Sequence, residues 1–273
     1  MALNLNELLL DRVRSLTAHS IDDENYGALL FRLTSLEDPS LATSAEGEEV
    51  VDAIGALITT LYRAKKATFS ASNSLISLDL AAAQYGATKE VLGANETLVD
   101  YTYEILDVKD GKATLTNEPI KIKVGDVETS SVMYIYAVEN GQTSTKYVAG
   151  SAVSATEFKI TGKEIEVPTG VTGKIYVEYS YEADGKENNG ANRIANNTSN
   201  FPAACSMKIF AYFRDKCNEN VVYSGVIVSS KAKLNPEQVE LALTSTGKHA
   251  FEFQMMRDYC DDEAELFAII VAE

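Results

Sequence analysis

Residues 203–257 read as four strands separated by links of two to six residues. Links that short join antiparallel neighbours, because a parallel pair needs a crossover of about a dozen residues or more. The runs are 203–214 (AACSMKIFAYFR), 221–233 (VVYSGVIVSSKAK), 237–244 (EQVELALT) and 248–257 (KHAFEFQMMR), with turns at Asn235-Pro236 and Ser245-Thr246-Gly247. In the last pair, Val239, Leu241 and Leu243 point one way and Glu240 and Ala242 the other, while Phe251 and Phe253 share a face opposite Glu252. A chain with this ending is committed to an antiparallel sheet that buries one face.

The middle of the chain continues in the same manner. Strands are expected over 98–108, 112–115, 120–123, 131–138, 145–147, 157–160, 164–167 and 173–181. Asp110-Gly111, Gly125-Asp126, Asn140-Gly141, Thr161-Gly162 and Asp184-Gly185 mark the turns, and Asp-Gly and Asn-Gly are strong hairpin signals. Tyr101, Tyr103, Tyr134, Tyr136, Tyr176, Tyr179 and Tyr181 lie on these strands. They fit either a carbohydrate platform or cross-strand packing, and the second is the simpler reading.

Helical signals are few. Residues 4–16 read as an opening helix capped by Asn4 or Asn6, with Leu5, Leu8, Leu9, Val13 and Leu16 as its stripe. Residues 79–85 form a short helix ended by Gly86. Between the two, residues 19–49 look acidic and irregular. They contain an apolar island at 26–36, a strand or a short helix, broken by Asp38-Pro39-Ser40. Residues 50–63 permit a strand with Gly55 as a bulge or bend, and 65–78 begin as a strand through about Ser70. The asparagine-rich stretch 184–200 reads as a long loop. The tail is acidic at Asp261, Asp262, Glu263 and Glu265, and 266–271 is apolar enough to dock as a final strand or short helix.

Composition excludes more than it assigns. A net charge of −16 over 273 residues argues against a protein that reads nucleic-acid sequence, which needs a basic footprint. Lys65 and Lys66 are too few for such a patch and are expected to pair with acidic neighbours. The start lacks a basic leader with a long apolar core, and no apolar run reaches a bilayer span, so neither export nor membrane insertion is expected. Cys205, Cys217 and Cys260 have no metal-like spacing and fit free thiols, with Cys205 in or bordering the core. Sequons at Asn95, Asn196 and Asn197 carry little meaning without export. Asp22-Asp23-Glu24 lacks calcium-loop spacing, and His19 and His249, the two imidazoles, accompany no nucleophile elbow or phosphate loop. No catalytic, cofactor-binding or metal residue is assigned, and a non-enzyme is expected.

Residues 65–86 (KKATFSASNSLISLDLAAAQYG) and the order of elements over 221–273, a long strand, a hairpin with alternating aromatics and an ELFAIIVAE ending, resemble the tube proteins of bacteriophage tails and contractile injection machines. The resemblance implies a mainly β fold, an antiparallel sandwich or barrel with a flanking helix and a β-rich inserted or elaborated middle. On that template 1–95 holds the helix, acidic loop and first tube strands, 96–184 the middle region, and 185–273 the polar loop and closing strands. It further implies hexameric rings stacked head-to-tail, with contacts through 184–200 and 19–49. The partners implied are sheath, baseplate, terminator or tape-measure proteins, in a virion tail assembled in the host cytoplasm. Double-stranded DNA would pass an acidic wall without specific binding. Other readings are a capsid, head–tail joining or decoration protein, or a β-rich surface or receptor-binding module.

Overall fold

The computed structural model describes residues 8–93, 96–184, 192–215, 221–237, 239–244, 247–259 and 265–272. In chain order the elements are β1 (Leu8–Ser20), β2 (Leu29–Leu33), β3 (Leu36–Val51), β4 (Leu57–Asn73), α1 (Leu78–Tyr85), β5 (Glu90–Val91), β6 (Thr97–Asp107), β7 (Lys112–Thr114), β8 (Lys121–Val124) and β9 (Val127–Ser130). There follow β10 (Tyr134–Glu139), β11 (Gln142–Ala149), β12 (Glu157–Thr161), β13 (Glu164–Glu166), β14 (Lys174–Asp184), β15 (Asn192–Arg193), β16 (Ala204–Asp215), β17 (Val222–Leu234), β18 (Glu240–Leu241), β19 (His249–Met255) and β20 (Ala268–Ala272). They form two compact units, Met1–Lys89 with Arg193–Glu273, and Glu90–Asn192. The fold is mainly β with one flanking helix, as the tube template implies.

The first unit is one sheet in the order β2-β1-β16-β17-β19-β4-β3, with β18 beside β19 and β20 beside β17. Its two terminal strands, β2 and β3, are separated in the chain only by Thr34 and Ser35. Two residues cannot span a flat sheet of that width, so the sheet must curl until its ends meet. A ring contact confirms the curl. Phe31 on β2 and Phe253 on β19 lie four ladders apart, about 19 Å in a flat sheet, yet their ring centroids are 6.3 Å apart. The interior so enclosed holds Leu16, Phe69, Met207, Ile209, Phe251 and Phe253, with Leu80 of α1 closing it.

The opening helix is not present over the described residues. Instead, β1 pairs antiparallel with β16 from Leu8↔Asp215 to Ser20↔Cys205, while Asn4, Leu5 and Asn6 lie outside the described residues. Register shifts between Leu10 and Arg12 and between Val13 and Ser15 interrupt the two-residue alternation. The two bulges bring Leu8, Val13 and Leu16 to one face at spacings that mimic a helix, while Leu9 falls on the opposite, exposed face. A second correction concerns 19–49, which is not irregular, since β2 and β3 run through it. Asp38-Pro39 does not end the apolar island in a loop. It forms a bulge between Glu37 and Ser40 inside β3, with Asp38 at φ 50°, a site where proline's missing N–H leaves no ladder bond unmade. A third concerns 237–244, where among the described residues only Glu240 and Leu241 are paired as a strand. The edge of β19 that 237–244 would need is already taken by β17, from Phe253 to Met255. Asn235 also fixes a turn there, its side-chain Oδ1 accepting the Glu237 N–H at 3.0 Å. The apolar tail docks as β20 along Ser224–Val228 of β17.

Helix α1 is built as its residues suggest. Ser77 Oγ accepts the Leu80 N–H at 3.2 Å, and Gly86 adopts φ 61°, donating to Ala83 O. A Cβ on Gly86 would stand 2.2 Å from Phe201 O, so the site excludes any larger residue. Gln84 and His249, both buried, tie the helix to β19. Gln84 donates to Ala250 O at 3.0 Å, and the Ser77 N–H points at His249 Nδ1 (3.4 Å). Nδ1 is therefore the acceptor, and Nε2–H donates to Gln84 Oε1 at 2.6 Å. Burial lowers the His249 pKa, so the ring stays neutral. Cys205 is buried, and desolvation pushes its thiol up to about 12, as expected of an inert core cysteine. Cys217 and Cys260 lie outside the described residues.

The second unit has a seven-stranded sheet over the described residues, in the order β6-β14-β10-β11-β12-β13-β7, and a separate β8–β9 hairpin. Its terminal strands β6 and β7 are again neighbours in the chain, so this sheet also rolls. Asp110 and Gly111 (φ 51° and 75°) and Asn140 and Gly141 (φ 53° and 79°) make the two-residue turns that both positive φ values require. Ile135, Phe158, Ile165, Ile175 and Val177 fill its core. Tyr179 sits at its margin and donates its hydroxyl to Glu104. Burial first, then that bond, pushes the phenol up to about 12. The strand β9 was invisible in the sequence because its residues, VETS, carry one apolar side chain.

Phe253→Ala is expected to cost about 3–5 kcal/mol. Amide exchange should rise in β4, β17 and β19 and stay unchanged in β12–β14; an equal rise in both would mean that the two cores unfold as one. Stability should also fall as pH drops below 6.5, the ordinary histidine value, because the unfolded chain takes up a proton there that folded His249 refuses. Denaturant titrations of His249→Gln between pH 7 and 5.5 should show a flatter slope than the wild type.

Candidate assembly surfaces

β3 and β4 are far longer than the sheet they belong to. Their ladder continues from Leu36↔Asn73 to Val51↔Leu57, but burial on β4 stops at Ala67. Beyond that point both strands of the hairpin are exposed on alternate residues too, apart from half-buried Val50 and Thr60 near the ladder's end, so among the described residues neither face of the arm rests on a core. The turn is well made. Asp52 Oδ1 accepts the N–H groups of Ile54 (2.9 Å) and Ala56 (2.8 Å), and Gly55 takes φ 83°. Two cross-strand ion pairs brace the stem, Lys66–Glu46 at 3.1 Å and Arg63–Glu48. These pairs are exposed and add little stability.

A kink marks the base of the arm. The ladder shifts register between Ser44 and Glu46, and opposite this shift Ala64 adopts φ 48°. A left-handed alanine costs about 1 kcal/mol, and such bulges re-aim a strand. The tip is apolar: Ile54 is 90% exposed, Ile58 63% and Tyr62 74%, with Val51, Leu57 and Leu61 also exposed. An isolated two-stranded hairpin is marginal in water, and exposed apolar groups in this number mark an interaction surface. Among the described residues, β20 pairs only with β17 and exposes Ile269 and Ile270, and the start of β1 pairs only with β16 and exposes Leu9 and Leu10.

A family model, the YomU/Tube protein family, matches residues 13–270, a span that includes the whole arm. The chain belongs to this family of phage tail tube proteins. No curated protein matches it in sequence. Membership gives the YomU/Tube chain a structural role in a phage tail, and self-association goes with that role.

The contact candidates read from the sequence fall out differently. Of 184–200, residues 185–191 lie outside the described residues, and β15 is exposed. Of 19–49, the part that projects is the first strand of the arm, and its second strand, 57–66, lies outside both expected contact stretches. Its clue was available in the sequence: Leu57, Ile58, Leu61 and Tyr62 crowd one strand of a hairpin whose other strand is acidic. Asp22, Asp23 and Glu24 sit exposed in the β1–β2 turn, where the Asp22 N–H bonds Ser20 Oγ at 3.1 Å. Among the described residues no His, Cys, Asp and Glu side chains cluster as metal ligands, and no helix is long and apolar enough to cross a membrane. Lys66 pairs with an acidic neighbour as expected. The expected cross-strand packing of tyrosines is seen at Tyr103–Tyr176, with ring centroids 5.7 Å apart, and at Tyr136–Tyr176, 6.3 Å apart.

Ile58→Asp and Tyr62→Asp should leave the monomer's unfolding free energy within about 0.5 kcal/mol of wild type, because neither side chain touches a core. Sedimentation velocity should show both variants failing to form the assemblies that the wild type forms. Wild-type assembly by either variant would remove the arm from the interface.

Proposed function

We propose that this YomU/Tube protein builds the tail tube as hexameric rings stacked head-to-tail, and that the curled sheet of the first unit forms the wall. The observation that carries the reading is the β3–β4 arm, which has a formed turn and ladder, a fixed kink and no core of its own. Such a hairpin is stable when a second copy covers it, and a stacked ring supplies that copy in every layer. The unpaired edge of β20 offers a lateral contact of the kind that ring closure consumes. On this reading the middle region is a domain inserted into the tube fold.

The net charge of −16 suits the lumen of such a tube. A wall that repels phosphate lets double-stranded DNA slide during ejection without binding it. The role is structural and not enzymatic, with no cofactor. Assembly takes place in the host cytoplasm and the product resides in the virion tail. Terminator, tape-measure, baseplate and, in a contractile tail, sheath proteins are the partners at its ends, interior and outside.

Negative-stain microscopy of the purified chain, with light scattering on the same sample, tests this. Hollow rings or tubes of constant width with sixfold end views are the expected result. A compact monomer at all concentrations and salts, persisting when preformed tail ends are added as initiators, would overturn it.

A further inference from the structure

Within the second unit, the described residues leave one face of the sheet uncovered, and that face is aromatic. Along β14 the residues alternate. Ile175, Val177 and Tyr179 enter the core, so Tyr176, Glu178 and Ser180 face out. The register with β6 sets Ile105 opposite Tyr176, Tyr103 opposite Glu178 and Tyr101 opposite Ser180. On the other side β10 sets Tyr136 opposite Tyr176. Cross-strand packing accounts for the half-buried Tyr136 and Tyr176. Tyr103 packs one side on Tyr176 and still stays 64% exposed, and Tyr101 is 78% exposed with no ring contact among the described residues.

A carboxylate lies in the middle of these rings. Glu178 is next to Tyr103 across the ladder and accepts the hydroxyl of Tyr176. The lysines of the face are engaged: Lys146 Nζ lies 4.8 Å over the Tyr134 ring, and Lys174 is 3.8 Å from Asp107. The surface thus combines ring faces, phenol hydroxyls and a carboxylate acceptor, with its cations already occupied. It is laid out on a sheet face, whereas small-molecule sites are deep and concave. We propose that this face binds a polysaccharide free of anionic groups. Sugar C–H faces would stack on Tyr101 and Tyr103, and ring hydroxyls would donate to Glu178. Nucleic acid and acidic glycans carry the wrong charge for it. The assignment goes beyond the tube reading and does not depend on it.

Affinity electrophoresis of the full-length chain through gels containing a neutral β-glucan, dextran or a soluble chitin derivative tests the proposal, with alginate as the anionic control. At least one neutral polymer should retard the wild type. The double variant Tyr101→Ala/Tyr103→Ala should bind at least tenfold more weakly, with the thermal midpoint lowered by no more than loss of the Tyr103–Tyr176 ring contact accounts for, because both rings are largely exposed. Glu178→Gln should weaken binding while keeping the stacking rings. Because the chain has no tryptophan, quenching of tyrosine emission offers a second readout. Three results would overturn the assignment: no retardation by any neutral polymer, equal retardation of wild type and double variant, or retardation by alginate alone. Protection of Tyr101 from nitration on self-association, without glycan binding, would instead assign the face to a second copy.

Discussion

The two residues between β2 and β3 govern the first unit. They join opposite ends of one sheet, so the sheet closes on itself and gains an interior. Phe31, Phe69, Phe251 and Phe253 can then pack on one another although their strands are not all neighbours. The same closure leaves nowhere inside for the outer half of β3 and β4. A strand pair longer than the wall it belongs to must project, and the bulge with Ala64 at its base fixes where the projection begins. The assembly surface is therefore a by-product of matching long strands to a short barrel. It needs no motif, which is why residue patterns point to no site in the usual sense.

Much of the fold was legible in the sequence, for identifiable reasons. The middle strands emerged because Asp-Gly and Asn-Gly pairs punctuate them, and the turns at Asp110 and Asn140 take the φ values those pairs favour. Helix α1 emerged because Gly86 ends it, whereas the Ser77 cap passed unread and 79–85 missed the first residue, Leu78. What failed was wherever a bulge disturbed the two-residue period. In β1 two bulges made a strand resemble a helix, and in β3 a proline within a bulge resembled a break. The shortened β18 failed for another reason: competition for one edge of β19 is a tertiary fact that local pattern does not contain. The arm lay between these cases. Gly55 was read as a bulge or bend within a strand over 50–63, but it lies in the Asp52–Ala56 turn that splits this stretch between β3 and β4, and the absence of anything beneath the hairpin is a property of the whole sheet.

The units hold separate cores, and each has its own way of meeting other molecules. In the first the apolar surplus lies on an arm and at strand edges, where backbone pairing and side-chain burial can act together. In the second it lies on a sheet face as tyrosines, which keep a hydroxyl in water while exposing a ring. Tyr176 shows the difference well. Its hydrogen bond to Glu178, with some loss of solvent, pushes the phenol up to about 12, so the ring stays neutral across any physiological pH. A face made this way neither demands burial nor tolerates anions.

The position of the second unit within the chain bears on how the protein is made. β1 pairs with β16, and β4 with β19, so the first unit cannot close until the chain beyond Arg193 has been synthesised. The second unit is complete in sequence before then. During translation, β1 to β4 wait with open edges while the intervening unit emerges and folds. Contacts spanning so much sequence are slow to form, and unpaired strands are the species that aggregate or seek other chains.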